Sequence, residues 1–170
     1  MKRTPGIDMT AGSLGHGLGA GVGMALAARI NRKEYKTFVI IGDGEIQEGL
    51  IWESLMSAGH YRLENLTVLI DRNKWQSCDA VDCTIEIEPL SSKLTSFNWK
   101  VVEIDGHNIE EIISALSPKN KGRPLAVIAH TIKGKGVSFM ENDNSWHQRP
   151  ITEKEYHKAM SELKESDEIG

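Results

Sequence analysis

The sequence predicts an α/β fold, a parallel sheet with helices on both faces, and three observations lead there. Residues 37–41 (Thr-Phe-Val-Ile-Ile) and 66–70 (Leu-Thr-Val-Leu-Ile) are short, continuous apolar runs rich in β-branched residues. Such runs suit strands buried on both faces of a helix-covered sheet. Between them, residues 48–60 read as a helix, with Leu50, Ile51, Leu55, Met56 and Ala58 as its apolar stripe and Gly59 and His60 at its end. Strand, helix and strand in this span make a βαβ unit, whose crossover is right-handed in nearly all cases.

Along the chain, a glycine-rich segment at 12–23 runs into residues 24–30, which have helical propensity, with Asn31 as the stop. After the βαβ unit comes a third strand at 99–104, ending in Asp105-Gly106-His107-Asn108. Asn108 caps a short helix carrying Ile109, Ile112, Ile113 and Leu116, which Pro118 breaks. Residues 124–129 give a fourth strand and 130–149 a polar loop. The last helix opens on Thr152-Glu153-Lys154-Glu155, where hydroxyl and carboxylate satisfy the end amides reciprocally. Tyr156, Ala159, Met160 and Leu163 line one face of it, a packing face, and the tail after Glu165 is expected to fray.

Composition bounds the function. A chain of 170 residues is about one domain, and that size buries roughly 68–70% of the unfolded surface. Hydrophobic residues at 39% and charged residues at 26% fit a soluble globular protein. A net charge of −4 and a pI near 5.9 argue against a nucleic-acid partner. No apolar run approaches the ~20 residues that span a bilayer, and the N-terminus lacks the apolar core of a signal peptide. Cys78 and Cys83 are too few for a disulfide framework or a closed zinc site. Read as two free thiols, they favour a reducing compartment, the cytoplasm.

The chemistry gathers at the strand ends. Gly42-Asp43-Gly44-Glu45 follows the first strand and Asp71-Arg72-Asn73 the second. Ligands of open α/β sheets bind outside the carboxyl ends of the strands. Asp-Gly after a strand is a common turn, so the pairing with Asn73 carries the argument. Together they offer a carboxylate and a carboxamide oxygen, the hard donors that Mg²⁺ takes alongside phosphate oxygens. Asp43 beside a diphosphate repels it by about 4 kcal/mol at ~4 Å and an effective dielectric of ~20. A bridging Mg²⁺ or Ca²⁺ turns that repulsion into attraction. Gly12, Gly15 and Gly17 sit where a loop meets a helix start, so their amides can face an anion, whereas Gly19, Gly21 and Gly23 read as sites of close packing. No strand precedes this run, so it is not a dinucleotide fingerprint.

At these residues the chain resembles the transketolases. The stretches Gly42-Asp43-Gly44-Glu45-Ile46-Gln47-Glu48-Gly49, Trp52-Glu53, Asn65-Leu66 and Asp71-Arg72-Asn73 look like the family's thiamine-diphosphate motif. The likeness extends to Gly12-Ser13-Leu14-Gly15-His16-Gly17, to Thr131-Ile132-Lys133-Gly134-Lys135-Gly136 and to Ser145-Trp146-His147. The Gly-His-Gly form of the glycine loop is similar to enzymes encoded as two separate subunits. The resemblance implies that residues 1–170 form a single thiamine-diphosphate-binding module of the diphosphate type. It implies Asp43, Asn73 and the Trp75 carbonyl as ligands of Mg²⁺ or Ca²⁺, with two diphosphate oxygens and a water completing the octahedron. Gly42, Asp43, Gly44 and Glu45 then fall in the cofactor-binding set, the Gly44 amide toward the diphosphate, while Gly12 and Leu14 line the path to the thiamine rings. Glu48 joins a carboxylate network facing the partner subunit, and His147 reaches the diphosphate and the reacting carbonyl, with a proton-transfer role. The implied reaction is transfer of a two-carbon ketol unit between sugar phosphates.

Three departures from the family stand out. Gln148 takes the place of a usual Gly after Trp146-His147. Set against the family, the chain is expected to lack the helices before the glycine loop, which carry further histidines, and the pyrimidine-binding module. The expectations are an oligomer with a pyrimidine-binding partner subunit, no activity without it, and apolar surface exposed on the chain alone. A non-catalytic remnant, a deoxyxylulose-phosphate synthase and a 2-oxo acid dehydrogenase component are the alternatives.

Overall fold

The computed structural model describes residues 4–117 and 121–167, with the backbone alone for 165–167. Four strands, β1 (Thr37–Gly42), β2 (Leu66–Arg72), β3 (Lys100–Asp105) and β4 (Leu125–His130), form one sheet in the order β1-β2-β4-β3, parallel at every pairing. The helices are α1 (His16–Ile30), α2 (Gly49–His60), the short α3 (Val81–Thr84), α4 (Leu90–Ser96), α5 (Ile109–Leu116) and α6 (Glu153–Asp167). Single 3₁₀ turns at Gly44–Gln47 and Asn144–His147 complete the order.

Side chains alternate across a strand, and here the alternation separates two cores. Ile41, Val68, Ile70, Ala126 and Ile128 face α1, α2 and α4, burying Leu18, Ile51, Leu55 and Leu94. Trp99, the largest fully buried side chain, joins them and donates its indole N–H to the Leu55 carbonyl at 2.9 Å. Val127, Ala129 and Ile104 face the other way, toward Ile112, Ala115 and Leu116 of α5. Helices therefore cover both faces, as the sequence predicts.

Several particulars differ from expectation. β2 is buried on both faces, but β1 is buried on one only: Phe38 and Ile40 are 53% and 73% exposed. The reason is placement, since α5 lies over β3 and β4 and does not reach the sheet's β1 edge. Met56 faces outward rather than joining the stripe of α2, as do Ile109 and Ile113 of α5. The helix expected from residue 24 starts at His16, so four glycines lie inside α1. Gly21 explains part of this: a Cβ there would stand 2.4 Å from Val39 Cγ2, so α1 rides close on β1 at the cost of intrinsic propensity. Gly19 makes ordinary contacts and Gly23 none, so close packing holds for Gly21 alone of the three.

The caps at Asn108 and Thr152 form as expected. Asn108 accepts from the Glu110 and Glu111 amides, and Thr152 and Glu155 bond reciprocally. Pro118, the expected breaker, and residues 168–170 lie outside the described residues, while α6 itself continues past Glu165 to Asp167.

Candidate functional site

The parallel register sets Gly42 opposite Asp71, and the Asp43 amide donates to the Asp71 carbonyl at 3.2 Å. The β1 and β2 ends therefore lie side by side. Asp43 is fully buried. Its Oδ1 accepts from the Gly44 amide at 2.8 Å, and its Oδ2 accepts from the Lys74 amide at 2.6 Å and Arg72 Nη1 at 2.9 Å. The Lys74 backbone adopts a left-handed φ of 70°, the sharp bend that turns its N–H toward Asp43. One residue on, the Trp75 amide donates to Asn73 Oδ1 at 2.9 Å, while Asn73 Nδ2 donates to Asp71 Oδ2 at 2.9 Å. Thus the side-chain oxygens of Asp43 and Asn73 are held by consecutive amides of a single turn.

That turn is itself fixed. Lys74 and Gln76 pair with residues 79–81 through Val81 N to Lys74 O and Gln76 N to Asp79 O, both 3.0 Å. Gly44 fits beneath it, since a Cβ would stand 2.7 Å from Gln76 Cβ.

Arg72 is a second organiser. Besides Asp43, it reaches Asp82 Oδ1 through Nη2 and Glu88 Oε1 through Nη2 and Nε, at 3.2 to 3.3 Å. Burial by itself lowers the Arg72 pKa, but hydrogen bonding and attraction to Asp43, then Asp82, outweigh it and hold the guanidinium above its ordinary value. Arg72 is a permanent cation here.

Glu45 ties the glycine loop to this corner. Its Oε1 accepts from the Gly15 amide at 2.7 Å and its Oε2 from the Gly42 amide at 3.3 Å. Gly15 is buried at the start of α1 with φ of 83°, and a Cβ there would crowd Glu48 Cβ at 3.3 Å. Glu48 caps the start of α2 by backbone conformation only and is exposed. Gly12 and Leu14, on the segment leading into Gly15, are also exposed.

Beyond the β2 and β4 ends lies an open cleft of about 670 Å³ lined by Asp71, Asn73, His107, Thr131 and Lys133, with Ile40 and Leu69 on its apolar side. The Thr131 hydroxyl donates to Asp71 Oδ1, and the Ile132 amide donates to His107 Nε2 at 2.8 Å. Lys133 Nζ lies 3.4 Å from Nδ1 of His147, which is exposed on the 3₁₀ turn ending at Gln148. The structure thus draws Asp43, Gly44, Asn73 and Trp75 together and braces Glu45 against Gly42 and the glycine loop. His147 joins the cleft through Lys133, whereas among the described residues neither the Glu48 carboxylate nor the backbone of Gly12 or Leu14 hydrogen-bonds to that corner.

The donor set suits a hard cation. A carboxylate has about four lone-pair sites and a carboxamide oxygen two. Three of the Asp43 sites and one on Asn73 are engaged, leaving acceptor capacity on each. Gly12 and Gly42 present open space where a Cβ would sit, so bare backbone is approachable from outside. Asp43, Asp71, Asp82 and Glu88 against Arg72 leave three uncompensated negative charges in this group. A bare diphosphate is repelled there, whereas a divalent ion with its diphosphate is not. Among the described residues no three His, Cys, Asp or Glu side chains form a metal cluster of their own, which suits an ion that takes few protein ligands and keeps phosphate oxygens.

Arg72, Thr131, Lys133 and His107 are the participants to which sequence reasoning gave no role. Arg72 stood in plain view between Asp71 and Asn73, but its partners lie up to 29 residues away. Thr131 and Lys133 belong to a stretch that carries the family likeness, but a threonine or lysine after β4 has no individual role legible in the sequence.

The profile of the family described as "Transketolase, thiamine diphosphate binding domain" matches residues 1–166. The chain is 42% identical over 164 residues to one of the subunits of the apulose-4-phosphate transketolase of Phocaeicola vulgatus, spanning 95% of this chain and 58% of that one. It is 45% identical over 165 residues to a 6-deoxy-6-sulfo-D-fructose transketolase subunit of a Clostridium species, spanning 96% of this chain and 60% of that one. Among solved structures, the transketolase of Campylobacter jejuni superposes with a TM-score of 0.87 at 29% identity, covering 93% of this chain and 26% of the other. The chain therefore spans about three-fifths of the length of these two relatives.

Proposed function

From one premise, that this chain belongs to the transketolase family through its thiamine diphosphate-binding domain, we infer that it holds the metal–diphosphate end of that cofactor in a site completed by a partner subunit. The ion is Mg²⁺ or Ca²⁺, and its protein ligands are the Asp43 carboxylate, the Asn73 carboxamide oxygen and the Trp75 carbonyl. Thiamine diphosphate supplies the carbanion stabilisation that ketol transfer needs. This chain supplies placement and charge. Gly42 and Gly44 bring bare backbone to the diphosphate, Glu45 sets the glycine loop beside it, and Gly12 and Leu14 border the route to the thiamine rings. His147, with Lys133 at Nδ1, is the group that exchanges a proton near the diphosphate and the reacting carbonyl. Glu48 faces a pyrimidine-binding partner, which suits relatives that are themselves named as subunits. The substrates are a ketose and an aldose, both as phosphates. Two exposed free thiols fit a cytoplasmic setting.

The observation that carries this reading is the pair of consecutive amides, Lys74 and Trp75, that holds the Asp43 and Asn73 oxygens on one turn. Trp75 is also the reporter. Adding thiamine diphosphate with Mg²⁺ is expected to quench its fluorescence, and Asp43→Ala is expected to abolish that response. An unchanged titration in the variant refutes the assignment.

A further inference from the structure

We propose that Arg72 is the resident counter-ion of Asp43, exchanged for the divalent ion when that ion arrives with the diphosphate and retained through the exchange by Asp82 and Glu88. The proposal rests on the cofactor site assigned above and adds the group that controls entry to it. An ionised Asp43, fully buried, needs a positive partner whenever the metal is absent. Arg72 is that partner, itself only 4% exposed.

The guanidinium divides its donors. Nη1 alone meets Asp43, whereas Nη2 and Nε serve Asp82 and Glu88, whose side chains are 56% and 46% exposed. Breaking the single Nη1 contact leaves the other contacts in place, so the arginine is not stranded in the interior. Glu88 is anchored in turn, since its second oxygen accepts from the Leu90 amide at 2.7 Å where α4 begins. A lysine cannot reproduce this, because a single ammonium does not present a planar fork to three carboxylates.

The arrangement has a consequence for order of binding. A free dication is drawn by the surrounding carboxylates but meets Asp43 already paired with a fixed cation, and Arg72 opposes it there. The metal–diphosphate complex brings its own negative charge and is opposed less. Arg72 thus acts as a positioning residue that favours uptake of the ion together with diphosphate over uptake of the ion alone.

The test uses Mn²⁺ as a paramagnetic probe on the full 170-residue chain, with electron paramagnetic resonance reading free ion, in the presence and absence of thiamine diphosphate. Arg72→Met is expected to bind Mn²⁺ alone at least tenfold more tightly than wild type, the effect of removing an adjacent positive charge. Equal or weaker binding by the folded variant overturns the proposal. The pair Asp82→Asn with Glu88→Gln, both surface changes, leaves Arg72 with Asp43 as its charged partner. It is expected to weaken Mn²⁺ uptake with thiamine diphosphate by about fivefold, and unchanged or tighter uptake overturns the proposal even if Arg72→Met fails to fold. A role confined to holding the 79–90 segment moves neither reading in opposite directions. Failure of wild type to take up Mn²⁺ with thiamine diphosphate overturns the cofactor assignment instead, and the counter-ion proposal with it.

Discussion

Glu45→Ala offers the sharpest view of how the glycine loop is held. The wild-type carboxylate, half-buried, accepts from the Gly15 amide at 2.7 Å and from the Gly42 amide at 3.3 Å. A hydrogen bond to a charged group contributes about 1.5–3 kcal/mol. The Gly15 bond is short enough for that range, and the longer Gly42 bond adds little. Truncation also leaves the buried Gly15 N–H without its acceptor. Together these set the loss at about 2–3 kcal/mol, read as a lower midpoint in urea. Amide exchange localises the effect: Gly15 is expected to exchange much faster, while Val68 and Val127 in the sheet follow global stability only. Glu45→Gln keeps one neutral acceptor and is expected to lose about half as much. A midpoint change equivalent to under about 0.5 kcal/mol, with Gly15 exchange unaltered, refutes the brace.

Two further expectations concern parts of the chain outside that corner. Glu162 accepts from the Ser138 amide at 2.6 Å and its hydroxyl at 2.8 Å, and these hold its carboxyl below the usual range, amide first. A lowered native pKa means the stabilisation is present above the unfolded value, ~4.3 for Glu, and is lost as pH falls through the native value. Acid titration by circular dichroism should therefore loosen α6 as pH falls below the unfolded carboxylate range, and Glu162→Gln should remove much of that acid step; an identical profile for the variant contradicts the docking role. On β1, an edge strand among the described residues, Phe38 and Ile40 expose an apolar face, and Ile40 also borders the cleft. Such edges associate, so the chain alone should scatter light as more than a monomer and Ile40→Lys should reduce it. A clean wild-type monomer counts against this.

Much of the site is legible in the sequence, for a physical reason. A buried parallel strand must be a continuous apolar run, and its end must bear the first polar residues, so Asp43 and Asn73 are marked by their position. Caps at Asn108 and Thr152 are legible because their signals are local. The Glu45–Gly15 bond is not, because it spans 30 residues and exists only once α1 and β1 are side by side. Arg72 reads locally as one more solvated charge, and its burial follows from Asp82 and Glu88 folding back over it. The open face of β1 escapes the sequence because a run of Phe and Ile says nothing about which helix covers it. The early start of α1 escapes it because intrinsic propensity disfavours glycine, whereas close contact with Val39 leaves no room for any side chain at Gly21.

The most direct measurement is an anomalous-scattering map from a crystal grown with Mn²⁺ and thiamine diphosphate. A single metal peak about 2.1–2.2 Å from an Asp43 carboxylate oxygen and from Asn73 Oδ1, bridged to the diphosphate, is the expected result. Diphosphate bound with its ion elsewhere, or a metal touching one of these residues and not the other, contradicts the account.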